Sequence, residues 1–405
     1  MSVASRAAAW RARGPEGLAV TLCIFLAGFF LLPSGRALNN VYYALVLAPA
    51  AFLLRADDWR WLAGSRLWQL TMVLLSYLAL SGLWSREFTS QDWLGEAKAV
   101  AYLVVYLAVL ACVCARRPVA WEWVVKVVVL AAAAGTLMSA VLLYRTAPWA
   151  ARLDYYGAVY NSNEAATLVG GCLMLVLFQL VPAARGRWRR GGWLTVGLTL
   201  AAGIVLTGSR TPQAAVAVCA GLGLALSRQW RLLGLAAAGL ALMIGALLAG
   251  GYDYHAAVAR GDSYRSAIWR QFATRVVQSP WLGEGILTDD STQVASTGVG
   301  APALTMNHPH NVYLATTLYG GLPALAMLVG LVWLALWQGA LLARGGEPAW
   351  LMMLLVGLLC MLTDGDRLLH APRGIWFYFW LPVGVLLARE AAARSRRGFA
   401  AGPVG

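Results

Sequence analysis

Residues 99–115 read AVAYLVVYLAVLACVCA and carry no charged side chain. The arginines Arg116 and Arg117 follow, and a second apolar run then covers residues 123–144, with Lys126 as its single charged residue. A helix needs roughly 20 apolar residues to cross the hydrocarbon core of a lipid bilayer. The two runs, separated by a short basic turn, therefore predict two consecutive membrane-spanning helices.

The rest of the chain repeats this pattern. Hydrophobic residues make up 60% of the 405 residues and charged residues only 12%, whereas soluble domains are about half apolar and a quarter charged. This composition excludes a disordered chain, a nucleic-acid-binding tail protein and an ordinary soluble enzyme, and it provides apolar residues for about twelve spans. We predict a single all-α polytopic membrane domain over residues 1–405. Its spans are expected near 17–32, 38–54, 67–84, 99–115, 123–144, 164–182, 193–207, 212–227, 232–250, 310–339, 349–363 and 375–388.

The arginines give an expected orientation. The net charge is +14, and Lys98 and Lys126 are the only lysines. With the N-terminus placed in the cytoplasm, most basic residues of the short loops fall on the cytoplasmic side, as the positive-inside rule requires. We therefore expect both termini in the cytoplasm.

The opposite, outer side of the membrane is expected to carry one large loop at 251–309. Smaller outer loops are expected at 85–98, 145–163 and 364–374, and all four histidines fall on this side. Residues 287–309 show no periodic pattern and are expected to be irregular. A long irregular stretch at a membrane face is usually functional, so we expect the site on this side.

The large loop contains a predicted helix at 264–278, which residues 262–263 would cap. Arg265 lies on the same helix face as the apolar Trp269 and Phe272. An arginine on an apolar face either pairs with a nearby acid or points into a cleft, and both alternatives stay open. The other arginines of the helix are expected on a solvated face: Arg270 and Arg275.

Residues 207–213 (TGSRTPQ) join two short predicted spans. Thr211 can cap the second helix, with Pro212 at its first position. Arg210 and the free N–H groups of that helix would then form an anion site at the outer boundary of the membrane. The alternative is that Arg210 binds a lipid headgroup or a helix end.

Residues 307–314 (NHPHNVYL) place His310 at the start of a long span. A helix N-terminus disfavours an imidazolium, so we expect a neutral ring that can accept a proton from a hydroxyl. His308 precedes Pro309 and is expected to point elsewhere. No carboxylate or cysteine pattern accompanies the two histidines, so we predict no metal site.

Residues 364–370 (DGDRLLH) form a charged segment just outside a span. Asp366 can pair with Arg367 or with another outer arginine, or the segment can shape a pocket. Two acids separated by one glycine are also compatible with Mg²⁺, but this pattern alone is a weak signal.

Residues 155–164 (YYGAVYNSNE) precede another span. Either Asn161 or Asn163 can cap the following helix, with Glu164 favourable in its first turn. The tyrosines and amides suit the binding of sugar rings, and they equally suit an interfacial aromatic belt.

These segments, in this order and on one side of the membrane, resemble the O-antigen ligase family, which also covers O-antigen polymerases and some protein O-oligosaccharyltransferases. Gly208, Ser209 and Arg210 carry the first part of the resemblance, and Arg265 ahead of the turn at 281–285 (WLGEG) carries the second. The third part lies in the first turns of one predicted span. Its residues are His310, Asn311, Leu314, Gly320 and Gly321. At motif level the resemblance covers roughly 190–330, and the plan of about twelve spans with one large outer loop covers the rest.

The resemblance implies a GT-C-like fold in the bacterial inner membrane, with the active site at the periplasmic face. It implies a glycan on undecaprenyl diphosphate as donor and a sugar of lipid A-core as acceptor, without metal or cofactor. By motif, Arg210 and Arg265 would bind the diphosphate and His310 would be the essential histidine. The family has an acidic position near 364–366, which either aspartate could match. Supporting roles are expected for Asn311, His308, Asp364, Asp366 and Arg367.

The implied chemistry agrees with the residues. A departing diphosphate needs charge neutralisation, which two arginines supply through forked hydrogen bonds. A neutral His310 would accept the proton of the acceptor hydroxyl, and direct displacement would invert the anomeric configuration.

Several alternatives stay open. A polymerase or a protein O-oligosaccharyltransferase would use the same donor, and the shape of the acceptor site decides among them. A transporter of lipid-linked glycans would instead predict polar residues in mid-span and symmetric broken helices, a pattern that the spans lack. The expected partners are the two glycolipids and membrane lipids, without nucleic acid.

Overall fold

The computed structural model of the protein describes residues 3–148, 151–234, 238, 264–294 and 304–400. The regular secondary structure of its described part is helical apart from one short hairpin, as the long apolar runs predict. The helices are α1 (Val3–Leu31), α2 (Gly35–Leu53), α3 (Ala56–Ala63), α4 (Arg66–Ser81), α5 (Ser90–Arg116), α6 (Pro118–Tyr144), α7 (Ser162–Ala183), α8 (Arg187–Leu206), α9 (Arg210–Leu226), α10 (Arg265–Gln278), α11 (Val312–Arg344), α12 (Ala349–Met361) and α13 (Leu381–Ala400). The hairpin is built from the antiparallel strands β1 (Thr292–Val294) and β2 (Leu304–Met306), in the stretch that was expected to be irregular.

Several helices are long and apolar enough to cross a membrane. In the described ranges these are α5, α6, α7, α11 and the segment Arg66–Trp84, and α2 with α3 adds a sixth span if this pair, bent by 95°, is counted as one. The protein is therefore a multi-pass all-α membrane protein. The number of twelve spans stays a prediction, and the expected span at 232–250 lies almost wholly outside the described residues.

The helices pack around a core of aromatic side chains. The rings of Trp376 and Tyr106 lie with centroids 4.9 Å apart, Phe25 meets both of them edge-on, and Tyr42 meets Trp376 edge-on and Phe25 at a tilt. All four side chains are fully buried. Such aromatic pairs add about 0.5–1.5 kcal/mol each beyond the apolar area that they bury, so this cluster fixes α1, α2 and α5 around the segment that leads into α13.

The long helix α11 is interrupted at Gly321, which has a φ of 68° and a ψ of −168°. The interruption frees the carbonyl oxygens of Leu318 and Tyr319, which accept the backbone N–H groups of Glu284 (2.7 Å) and Gly285 (2.9 Å). A side chain at Gly321 would collide with the backbone of the same turn. The turn at 281–285 is therefore part of the helical bundle, because it satisfies the backbone groups of a broken span.

This docked turn also fixes α10. Arg275 makes a two-pronged ion pair with Glu284, with N–O distances of 3.1 and 2.6 Å, and its guanidinium lies over the ring of the buried Phe272. The expectation that Arg275 lies on a solvated face was wrong, since sequence spacing within the helix does not reveal an acid in the following turn. The expected cap of α10 at 262–263 lies outside the described residues.

Candidate functional site

The centre of the site is His310, which lies in the short link between β2 and α11. Asn311 is the N-cap of α11, and its side chain accepts the backbone N–H of Leu314 at 3.0 Å. His310 therefore precedes the helix and has a φ of 51°, in the left-handed region that only a constrained residue adopts. This backbone turns the ring toward the segment after α12.

The partner of His310 is Asp364. The ring nitrogen Nδ1 lies 3.3 Å from Oδ1 of Asp364, and the same oxygen accepts the backbone N–H of Gly365 at 2.9 Å. Both side chains are partly exposed, at 31% for His310 and 23% for Asp364. A carboxylate on Nδ1 holds the proton on that nitrogen and leaves Nε2 as the proton acceptor. This geometry suits a general base.

His308 lies beside this pair. Its ring centroid is 3.9 Å from that of His310, and its Nδ1 accepts the backbone N–H of His310 at 3.3 Å. The expectation that His308 points elsewhere was wrong, because the left-handed backbone at His310 folds the two rings together. Burial, followed by the neighbouring His310, lowers the pKa of His308. The ring of His308 is therefore neutral near neutral pH, and it lies beside the pair formed by His310 and Asp364.

Arg265 is the first residue of α10, and its side chain reaches the segment that carries Asp364. Its Nε donates to the carbonyl oxygen of Thr363 at 2.7 Å, immediately before Asp364. Burial works to raise the pKa of Asp364, but the hydrogen bonds from His310 and Gly365 and the charges of His310 and Arg265 outweigh it, so the pKa lies below its ordinary value. Asp364 is thus ionised around neutral pH, with one arginine beside it.

The second acid of the segment has a different set of partners. Asp366 pairs with Arg373 at 2.7 Å and accepts the backbone N–H of Arg367 at 2.8 Å. Burial works to raise its pKa, but the charge of Arg373 and this hydrogen bond lower it on balance. The prediction that Asp366 pairs with a nearby arginine is confirmed, and the partner is Arg373; the side of the membrane stays a prediction.

The side chain of Arg367 turns away from His310. It lies 3.6 Å from Glu96 and 3.5 Å from Asp290, over the ring of Tyr319. Tyr319 in turn donates to Asp290 at 2.5 Å. Arg367 therefore ties the segment after α12 to α5, α11 and the link that follows the docked turn.

One small pocket opens between these elements and the start of α7. Asn161 caps α7 by accepting the backbone N–H groups of Asn163 (2.8 Å) and Glu164 (3.3 Å), as one of the two predicted alternatives requires. Glu164 accepts the backbone N–H of Gly374 at 2.9 Å and so ties α7 to the segment after α12. The walls of the pocket are formed by Asn161, Glu164, Thr167, His308, Cys360, Asp364, Gly365, Asp366, Arg373, Ile375 and Tyr378.

Arg210 is the first residue of α9, and the N-cap is Ser209. The prediction of Thr211 as cap with Pro212 at the first position was wrong by two residues. The reason is Gly208, whose φ of 61° ends α8 and lets the chain enter α9 at once. Pro212 still lies in the first turn, where a backbone N–H has no helical partner to lose.

Sequence reasoning missed Arg152. Its Nε donates to the carbonyl oxygen of Thr207 at 2.5 Å, and its Nη2 donates to Ser209 Oγ at 2.8 Å and to Asn163 Oδ1 at 3.0 Å. A lone arginine in a loop carries no local signal for such a role. Through Asn163, in the first turn of α7, it connects the Arg210 turn to the wall of the pocket.

The structure thus brings His310, His308, Asp364 and Arg265 into direct contact or close proximity, and it links Arg210 to them through Arg152 and α7. Within the described ranges, no three side chains of His, Cys, Asp or Glu are close enough to hold a metal ion.

Comparison with known proteins identifies the family. A family model described as O-antigen ligase matches residues 194–329, which include Arg210, Arg265 and His310. An O-antigen ligase of Pseudomonas aeruginosa (strain PAO1) is 30% identical over 387 residues, which cover 92% of this chain and 91% of the relative. The similarity thus extends over nearly the whole of both chains, and this protein belongs to the O-antigen ligase family.

Proposed function

We propose that the protein transfers a glycan from undecaprenyl diphosphate to a sugar hydroxyl of lipid A-core, at the periplasmic face of the bacterial inner membrane. The observation that carries the proposal is the contact between His310 and the ionised Asp364, with Arg265 next to them. Membership of the family supports the glycan chemistry, and the position of the base beside an arginine supports the transfer step.

The base acts on the acceptor. Asp364 holds the proton of His310 on Nδ1, so that Nε2 takes the proton of the acceptor hydroxyl as its oxygen attacks the anomeric carbon. The bond from that carbon to the diphosphate oxygen breaks, and the electron pair remains on the diphosphate. Attack opposite to the leaving group inverts the anomeric configuration.

The arginines act on the donor. Arg210 and Arg265 bind the diphosphate through charge-assisted hydrogen bonds and stabilise the charge that develops as the glycan leaves. The free N–H groups at the N-terminus of α9 would add hydrogen-bond donors for the bound diphosphate. In this scheme the charge neutralisation comes from side chains and backbone, and no metal or cofactor takes part.

Asn311 and His308 have supporting roles in this scheme. Asn311 caps α11 and so fixes the backbone on which His310 sits, while the neutral His308 packs against the catalytic ring. Asp366 and Arg367 position the segment that carries Asp364 through their ion pairs.

The test uses purified protein in detergent with EDTA, undecaprenyl-diphosphate-linked glycan and rough lipopolysaccharide. We expect a ladder of products on the lipopolysaccharide, and we expect His310→Ala to lower the rate by about 10²–10⁴-fold, the usual contribution of a general base. His370→Gln is the matched control, a histidine in the segment after α12, and it should transfer glycan at nearly the wild-type rate.

Other outcomes would redirect the proposal. Wild-type protein that leaves lipid A-core unmodified but extends its own donor would be a polymerase, and one that modifies a protein hydroxyl would be an O-oligosaccharyltransferase. Transfer that survives His310→Ala would refute the base, and a product with retained anomeric configuration would refute direct displacement.

A further inference from the structure

Arg152 lies on a short extended segment between α6 and α7 whose side chains alternate. Leu153 and Tyr155 are buried, whereas Arg152 and Asp154 are exposed. The backbone N–H of Leu153 donates to the carbonyl oxygen of Leu206, at the end of α8, at 2.9 Å. The backbone of Arg152 is therefore held in place while its side chain remains accessible to a ligand.

Among the described residues, the guanidinium is held by hydrogen bonds alone. Its three hydrogen bonds go to neutral oxygens of Thr207, Ser209 and Asn163. In the part of the chain that the structure describes, Arg152 forms no ion pair with a carboxylate, and the nearby Asp154 accepts the hydroxyl of Ser162 at 2.6 Å instead. With the described residues these hydrogen bonds use Nε and Nη2, so the N–H groups of Nη1 can face a ligand.

Two helix N-termini meet at this guanidinium. Ser209 is the N-cap of α9, and Asn163 lies in the first turn of α7. The N-terminus of α9 carries about half a positive charge, and Arg210 follows Ser209 in the chain. The start of α7 differs, because the acids Asp154 and Glu164 lie there. An arginine without a carboxylate partner among the described residues, beside the start of α9 and next to Arg210, creates a positive potential where an anion binds best.

We propose that Arg152 is a third diphosphate-binding residue, which neutralises the charge that appears on the leaving undecaprenyl diphosphate. The inference rests on the proposed function. Transfer of the glycan turns a diester of diphosphate into a monoester, whose terminal phosphate gains further negative charge. Arg210 and Arg265 bind the diphosphate of the donor. Arg152 stabilises the additional negative charge that forms as the bond from carbon to oxygen breaks.

Arg152 could act through its charge on the diphosphate or only as a structural tie between the Thr207–Arg210 turn and α7, and acceptor variants separate these two roles. If Arg152 only tied the Thr207–Arg210 turn to α7, Asn163→Ala would be as harmful as the loss of the arginine, because it removes the bond from Arg152 to α7. If its charge acts on the diphosphate, Ser209→Ala and Asn163→Ala should retain most of the activity, because each leaves the guanidinium and two of its three hydrogen bonds in place.

The experiment compares Arg152→Gln, Arg152→Lys, Ser209→Ala and Asn163→Ala with the matched control Arg145→Gln, an exposed arginine of the same loop. Steady-state transfer is measured, and binding of undecaprenyl diphosphate alone is measured by titration calorimetry in detergent. We expect Arg152→Gln to lower kcat by about 10²-fold, the usual cost of one charge-stabilising donor, with the KM for lipopolysaccharide unchanged. Its affinity for undecaprenyl diphosphate should fall roughly 10- to 100-fold, as for one charge-assisted hydrogen bond.

Arg152→Lys should fall between wild type and Arg152→Gln, since lysine keeps the charge but not the forked geometry. The inference is overturned if Arg152→Gln binds undecaprenyl diphosphate as tightly as Arg145→Gln, or if Asn163→Ala loses as much kcat as Arg152→Gln. A wild-type protein that neither binds this lipid nor transfers glycan would refute the proposed function itself.

Discussion

Two carboxylates lie at different ends of the helical bundle, the buried Glu390 and the partly exposed Asp364, and they differ in their partners. At the end away from His310, Glu390 of α13 accepts the hydroxyl of Ser65 (2.6 Å) and the backbone N–H groups of Leu67 (3.0 Å) and Arg66 (3.3 Å), and it pairs with Arg394 (3.0 Å). These bonds cap the N-terminus of α4 from a helix more than 300 residues away in the chain. Glu390 thus has donors enough to satisfy both oxygens.

The carboxylate at the site is supported less completely. In the described part of the chain, Asp364 accepts one backbone N–H, from Gly365, and otherwise faces the ring of His310. A carboxylate that is satisfied by fixed donors stabilises the fold, whereas one that faces a histidine can also orient that ring for proton transfer. The comparison therefore predicts a structural role for Glu390 and a role in the reaction for Asp364.

The largest effect is expected at Asp364. Asp364→Asn should lower the rate of glycan transfer by about 10²–10⁴-fold, because an amide can donate to Nδ1 and then leaves the proton on Nε2, where it blocks the base. Steady-state transfer measures the effect, with thermal unfolding alongside. If Asp364→Asn is less stable but transfers glycan at the wild-type rate, Asp364 has only a structural role, like Glu390.

A smaller effect, on stability alone, is expected at Glu390. Glu390→Gln should lower the free energy of unfolding by about 1–3 kcal/mol, because the amide satisfies fewer of the donors at the start of α4. The rate per folded molecule should match that of the wild type. Denaturant unfolding in detergent, followed by transfer assays on the folded fraction, would reveal a loss of rate if the two ends are coupled.

The smallest effect is expected at Asp366, and it depends on pH. The pKa of Asp366 is lowered in the folded protein, so its ion pair with Arg373 contributes stability above the ordinary pKa of an aspartate, about 3.9, and this contribution is lost as the pH falls through the folded value. Asp366→Asn should therefore lower the melting temperature by a few degrees at pH 7, and by progressively less as the pH falls below about 3.9. An equal loss at pH 7 and at about pH 2, below the ordinary pKa of an aspartate, would show that the ion pair is not the cause.

Short sequence patterns correctly predicted several parts of the site. The helix α10 with Arg265 at its start, the asparagine cap of α7 and the pairing of Asp366 with a nearby arginine each follow from residues within one or two turns of chain. The chemistry of such short segments depends on nearest neighbours, so spacing and capping preferences are enough to predict it.

Other parts were wrong or absent for a common reason. His308 and Arg275 were placed incorrectly, and Arg152 was not recognised, because the partner of each is fixed by a turn or by another helix. A left-handed residue at 310 folds two rings together, a docked turn presents Glu284 to Arg275, and two helix starts converge on Arg152. Helix propensity and hydropathy carry no information on contacts between residues that only the fold brings together.

The sequence by itself determined the class of the protein, because the bilayer requires long apolar helices and these are visible as apolar runs. It also indicated the order of the arginines and of His310, on which the family resemblance depends. Only the tertiary structure decided that Asp364 faces His310 while Asp366 faces Arg373. The two aspartates are separated by a single glycine, and the direction in which each carboxylate points is set by the helices that pack around them, not by the residues between them.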